Sequence, residues 1–167
     1  RAGVAEWLVA QGPGGLQDLG GPRLDPEFGV VRGEVPRQPS RRGPLVVPGI
    51  VEAGGDEVDV VIPYRDLGAA AALLAAVRAA CPQQRLKVIL ETGELRQPGL
   101  TRQAGTLALD AGADFLKTST GKVAENATPA SAALLLQAIA ARPEAAARVG
   151  FKPAGGVRTV ADAALYI

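Results

Sequence analysis

Only four of the 18 basic residues are lysines: Lys87, Lys117, Lys122 and Lys152. In a chain that otherwise uses arginine, a lysine is informative where chemistry needs a neutral primary amine. A guanidinium stays charged and cannot form a Schiff base. Lys117 and Lys152 each fall near the end of an expected strand. If both point inward, two ammonium groups in one low-dielectric cavity cannot both stay protonated cheaply, so one pKa falls toward neutrality and that amine becomes a nucleophile. The alternative is that both are ordinary lysines snorkelling from strand ends. Asp59, in EVDVVI, is a carboxylate among valines and needs a partner there. It reads as a salt bridge to one of these two lysines or as a proton-transfer group, and the two roles are compatible.

A phosphate is the next ligand the residues suggest. Gly155-Gly156 follows an expected strand and precedes a helix cap at Thr159, so bare backbone N–H groups and a helix N-terminus can face an anion. Gly121-Lys122 offers the same with an added charge. Tight β-α turns are the alternative for both. TSTGK does not complete a nucleotide P-loop, because Leu116 stands where its first glycine belongs and Val123 follows Lys122. Glu91-Thr92-Gly93-Glu94 reads as a capped turn with Glu94 in solvent, with a paired-carboxylate site as the alternative. Cys81, at a helix end, reads as an inert thiol, and Trp7 with the few other aromatic residues forms no stacking array.

These groups are carried by a regular pattern. EVDVVI (57–62), LKVILE (86–91), DFLKT (114–118) and GFKPA (150–154) are short and apolar, as buried strands are. Each is followed by a helical segment: 66–81 with Asp66 as cap, about 98–110 with Pro98 at its start, a third with Thr128 as cap and Pro129 behind it, and a fourth opening on Thr159 with Asp162 three residues later. Four successive β-α units predict a parallel sheet covered by helices. Spacings of 30, 27 and 36 residues, from Val58 to Val88, Phe115 and Phe151, suit one right-handed crossover each. A complete (β/α)8 TIM barrel needs roughly 200–250 residues, so only half of one is legible.

The chain has 167 residues, 47% hydrophobic and 21% charged, which suits one globular core. It has no histidine and one cysteine, which excludes a Ser-His-Asp or Cys-His pair, a Cys/His zinc site and an internal disulfide. A net charge of +1 argues against nucleic acid as a partner. No run approaches the ~18 apolar residues of a membrane span, and the opening lacks a signal-peptide core, so a cytoplasmic location is expected. Residues 1–55 hold 12 of the 21 glycines and 7 of the 13 prolines. Apart from Val4 to Ala10 and VVPGIV (46–51), that stretch reads as irregular, with a boundary near Gly54-Gly55 separating segment 1–54 from a domain over 55–167.

DEVDVVIPYRDL (56–67), LKVILETGEL (86–95), GADFLKTSTGKV (112–123) with NATP (126–129), and GFKPAGGVRT (150–159) together resemble the deoxyribose-phosphate aldolases. The resemblance covers about residues 55–167 and matches the fourth to seventh strands of that family's eight-stranded barrel. It implies a class I aldolase, a lyase without metal or other cofactor, that reversibly cleaves 2-deoxy-D-ribose 5-phosphate to D-glyceraldehyde 3-phosphate and acetaldehyde. It implies Lys117 as the Schiff-base lysine, Lys152 as the lysine that lowers its pKa, and Asp59 in the proton relay. Gly121, Lys122, Gly155 and Gly156 match positions that help hold the phosphate. The partner expected is a small phosphorylated sugar, with a homo-oligomer allowed and no nucleic acid or membrane. The family's first three β-α units and its eighth strand have no counterpart in the sequence, so a truncated product, or one whose upstream part is read in another frame, is expected. The alternatives are another class I sugar-phosphate aldolase and a non-catalytic barrel fragment.

Overall fold

The computed structural model describes residues 56–167, together with the backbone of strands at 6–11, 24–25 and 30–33. In chain order the elements are β1 (Glu6–Gln11), β2 (Leu24–Asp25), β3 (Val30–Gly33), β4 (Glu57–Val61), α1 (Leu67–Ala80), β5 (Arg85–Ile89), α2 (Thr92–Leu95), α3 (Pro98–Asp110), β6 (Phe115–Lys117), α4 (Pro129–Ala140), α5 (Pro143–Ala146), β7 (Gly150–Lys152) and α6 (Val160–Ala163), with a closing 3-10 turn (Ala164–Tyr166). The four expected strands and the helices after them are all present. Their starts follow from local chemistry. The Asp66 carboxylate accepts the Ala69 N–H at 3.0 Å. Thr128 and Ser131 form a reciprocal capping box with Pro129 in the first turn. Thr159 and Asp162 form another.

One sheet holds the seven described strands in the order β2-β3-β1-β4-β5-β6-β7. From β4 to β7 the pairing is parallel, as the β-α repeat requires, and this part is an incomplete α/β barrel. β1 adds to β4 antiparallel, with Val9 opposite Asp59, and β3 and β2 follow it. These three strands lie in the stretch whose glycines and prolines read as irregular. β1 overlaps the apolar segment from Val4 to Ala10. β3 and β2 have four and two residues, too short to show a period. VVPGIV and the boundary near Gly54-Gly55 lie outside the described residues.

The pleat sorts the four parallel strands into two faces. Val58, Val60, Ile62, Leu86, Val88, Leu90 and Leu116 point to one side and form the core with Leu74 and Val77 of α1, Ala104 and Ala108 of α3, and Leu135 and Ile139 of α4. Gly105 of α3 is part of that fit: a Cβ there would stand 3.0 Å from Leu135 Cδ2. On the opposite face the polar and charged residues of these strands come together. At the other end of the strands Arg78 ties the layers, donating to the carbonyls of Cys81, Gln84 and Gly112 and to the Asp114 carboxylate. Cys81 is buried beside it, its thiol held above its ordinary pKa by desolvation. Among the described residues no helix is long and apolar enough to cross a membrane.

Leu116 has no exposed surface and joins β6 to the helical layer. Leu116→Ala is expected to cost about 2–5 kcal/mol of stability, measured as a lower urea midpoint with unchanged slope. A change below about 1 kcal/mol would contradict the placement of this face in the core.

Candidate active site

Register builds the site. Glu57, Asp59 and Val61 of β4 pair with Arg85, Lys87 and Ile89 of β5. Lys87 and Ile89 pair with Phe115 and Lys117 of β6, and these with Gly150 and Lys152 of β7. Paired residues of parallel strands share a face, so two successive rows cross the sheet on the side away from the helices. The first is Asp59, Lys87, Phe115 and Gly150; the second is Val61, Ile89, Lys117 and Lys152. Lys117 and Lys152 are therefore neighbours on one face, and Asp59 lies one row below and two strands away from Lys117.

The lower row is a charge cluster in a dry place. Asp59 is 2% and Lys87 5% exposed. The Lys87 ammonium donates to Asp59 Oδ1 at 3.1 Å and makes a short contact with Glu57 Oε1. It also stands 5.7 Å from the centre of the Phe115 ring, within cation–π range. Gly150 makes room for that ring, since a Cβ would sit 2.2 Å from it. Burial lowers the Lys87 pKa, but the hydrogen bond to Glu57 and the charge of Asp59 outweigh it, and the net direction is up. Asp59 is raised, first by desolvation, with Lys87 pulling the other way. One ammonium shared by two carboxylates compensates neither fully, and the more buried one keeps a residual tendency to hold a proton.

The expectation that Asp59 pairs with Lys117 or Lys152 needs correcting: its direct partner is Lys87. Lys117 is felt by Asp59 only as a more distant charge. Lys87 is the member of this cluster that the sequence reading did not single out. A signal was available, because Asp59 and Lys87 are each the third residue of a five-residue strand and the strands are neighbours.

In the upper row the Lys117 pKa is lowered. Desolvation is the leading cause, Asp59 opposes it, and Lys152 and then Lys87 add to the lowering. Proximity of two lysines thus acts in the expected direction but second to burial. Lys152 itself is exposed.

The glycine sites sit on the loops that leave β6 and β7, and these loops are fastened together. Thr118 Oγ1 donates to the Ala154 carbonyl at 3.2 Å and accepts the Ala154 N–H at 2.9 Å. The Ser119 hydroxyl donates to the same carbonyl at 2.7 Å, and Asn126 Nδ2 donates to Val123 O at 2.9 Å. Gly155 follows Ala154 at φ +83, and a Cβ there would come within 2.5 Å of the Asn126 side chain. Gly121 and Gly156 also have positive φ, the left-handed region that glycine enters without strain. The N-terminus of α6 contributes less than its sequence suggests. Its helix has four residues, and the Asp162 carboxylate takes the N–H groups of Arg158 and Thr159 at 2.9 and 2.8 Å.

Glu94, expected in solvent, is half-buried, and Glu91 beside it is enclosed. It is 3% exposed, and its carboxylate accepts the Thr120 hydroxyl at 2.7 Å. Thr92–Leu95 after it is a single helical turn. Among the described residues no three carboxylate or thiol side chains gather where a metal ion could be held.

Lys87→Met keeps the length of the side chain and leaves Glu57 and Asp59 without their cation. Breaking a buried pair from one side is expected to cost about 3–5 kcal/mol at neutral pH. The loss should shrink on acidification, because protonating Asp59 removes the stranded charge. Urea unfolding at neutral pH and pH 4 checks both. An equal loss at the two pH values would contradict the pairing.

The geometry meets three comparisons. The DeoC/LacD family aldolase profile matches residues 42–165, beginning upstream of the first motif block. A deoxyribose-phosphate aldolase of Agrobacterium fabrum is 55% identical over 120 residues, covering 68% of this chain and 45% of that protein. Among solved structures, the deoxyribose phosphate aldolase of Aeropyrum pernix superposes with a TM-score of 0.61 at 30% identity, over 73% of this chain and 51% of that one. QR15, described as an aldolase, gives 0.63 at 26% identity, over 74% and 55%. The chain spans about half the length of the relatives it matches. The family profile covers residues 42–165, well over half of the sequence, and the chain belongs to the DeoC/LacD family of aldolases.

Proposed function

We propose that this protein is a deoxyribose-phosphate aldolase of the Schiff-base type, with its catalytic groups within 55–167. The observation that carries the reading is the upper row: Lys117 and Lys152 in register on adjacent strands, with the Lys117 pKa lowered. A lysine whose charge is disfavoured by burial and by a neighbouring cation is suited to nucleophilic attack on an aldehyde.

In this reading the neutral Lys117 Nζ adds to C1 of 2-deoxy-D-ribose 5-phosphate, and loss of water leaves an iminium. Removal of the C3 hydroxyl proton lets the C2–C3 bond break. Its electron pair moves into the iminium to give an enamine, while C3 leaves as the aldehyde of D-glyceraldehyde 3-phosphate. Protonation of C2 and hydrolysis then release acetaldehyde and Lys117. Asp59, raised by burial and held by Lys87, supplies a carboxyl suited to moving protons below this site. Lys152 adds to the lowering of the Lys117 pKa that burial begins, and Gly121, Lys122, Gly155 and Gly156 receive the phosphate. The reading calls for no metal or other cofactor. It places the protein in the cytoplasm, in the catabolism of deoxyribose phosphate and deoxyribonucleotides. A homo-oligomer fits it, the Aeropyrum pernix relative being described as tetrameric.

Borohydride reduction of the folded chain with acetaldehyde is expected to place one ethyl group on Lys117, located by peptide mass mapping. No adduct at Lys117 would overturn the reading. In Lys152→Leu, trapping at neutral pH is expected to fall severalfold and to recover as pH rises, because the Lys117 pKa moves upward. The shift should be partial, since burial, the larger cause, remains. A pH profile unchanged by Lys152→Leu would remove the role given to Lys152.

A further inference from the structure

Glu91 has no part in the chemistry above, yet it is held under unusual conditions. Its backbone is left-handed, at φ 52, a region that a glutamate seldom occupies, and its side chain is 3% exposed. Both carboxylate oxygens are turned to one residue. Thr120 N–H stands 3.1 Å from Oε1 and 3.4 Å from Oε2, and the Thr120 hydroxyl donates to Oε2 at 2.7 Å. Thr120 Oγ1 accepts in turn the Lys122 N–H at 3.2 Å, while the Gly121 N–H goes to Ser119 Oγ at 3.3 Å. The backbone on either side of Glu91 grips the same stretch, Leu90 N–H donating to Lys117 O at 3.0 Å and Thr92 N–H to Thr118 O at 2.9 Å. A chain of bonds thus runs from Glu91 through Thr120 to Lys122 and fixes the turn in which Gly121 takes its φ of +83.

We propose that Glu91 is a positioning residue for anion recognition: acting through Thr120, it holds the Gly121–Lys122 turn in the conformation that receives the substrate's phosphate, without touching the substrate. The inference rests on the phosphate role given above to Gly121 and Lys122. A carboxylate near a phosphate loop repels the anion, so its presence is useful only if the order it imposes outweighs its charge. Accepting the Thr120 bonds satisfies the carboxylate and directs the turn at once.

The test is thermal unfolding of the full chain titrated with inorganic phosphate, for the unaltered protein, Glu91→Ala and Glu91→Gln. The amide introduced by Glu91→Gln can still accept the Thr120 N–H and donate to Thr120 Oγ1. Glu91→Ala is expected to raise the half-saturating phosphate concentration about tenfold, the size of one lost charge-assisted bond, and Glu91→Gln by no more than about threefold. Thr120→Val, which cuts the link and leaves Glu91 in place, is expected to weaken phosphate as Glu91→Ala does, and it decides the matter if Glu91→Ala does not unfold cooperatively. Unchanged phosphate binding in Glu91→Ala or Thr120→Val would overturn the inference. So would tighter binding in both Glu91 variants, the result for a carboxylate that only repels. If phosphate has no effect on the unaltered chain, the inference falls with the phosphate role, while acetaldehyde trapping at Lys117, which involves no phosphate, judges the Schiff-base chemistry separately.

Discussion

The register of four parallel strands is the constraint on which the rest depends. Side chains alternate between faces, so a slip of one residue in any strand would move its charges into the helix-packed layer and its valines or leucines to the other side. The apolar set Val58, Val60, Leu86, Val88 and Leu116 therefore does more than fill a core. By fixing which face meets the helices, it fixes where Asp59, Lys87, Lys117 and Lys152 stand. The order of hydrophobic burial sets the geometry of the chemistry, and the pKa directions follow from that geometry.

The charges on this face divide the work by row. Below, Lys87 lies between Glu57 and Asp59, an ammonium held charged by two carboxylates. Above, Lys117 has no direct carboxylate contact among the described residues and loses solvation, so its charge is disfavoured. Two lysines on adjacent strands of one face thus go in opposite directions, because one has partners at hydrogen-bond distance and the other does not. Phe115 links the rows, being two residues before Lys117 on β6 and stacked beside the Lys87 ammonium, with Gly150 leaving room for its ring.

Much of this was legible in the sequence because it is local. Asp66 and Thr128 mark helix starts through bonds spanning three residues, Pro129 by its fixed backbone at the first helical position, and short apolar runs mark the strands. Lys117, Lys152 and Asp59 stood out as residue types that their surroundings make costly. What sequence did not show is pairing at long range. The partner of Asp59 is 28 residues away, and only register makes it Lys87 rather than Lys117. Glu91 was hidden in the same way, since its purpose lies in a threonine 29 residues on. β2 and β3 were missed because so few residues cannot show alternation, and their place in the sheet comes from pairing alone.

The ionisation of Lys117 tests this most directly. Carbon-13 NMR of lysine Cε in the folded chain, with Lys117 assigned by its loss in Lys117→Arg, should show one lysine titrating clearly below the ordinary value near 10.4. Its midpoint should move upward when Lys152 is replaced by leucine. If Lys117 titrates like a free lysine, and does so with or without Lys152, it is neither desolvated nor beside a second cation, and the register that places the two lysines together is wrong.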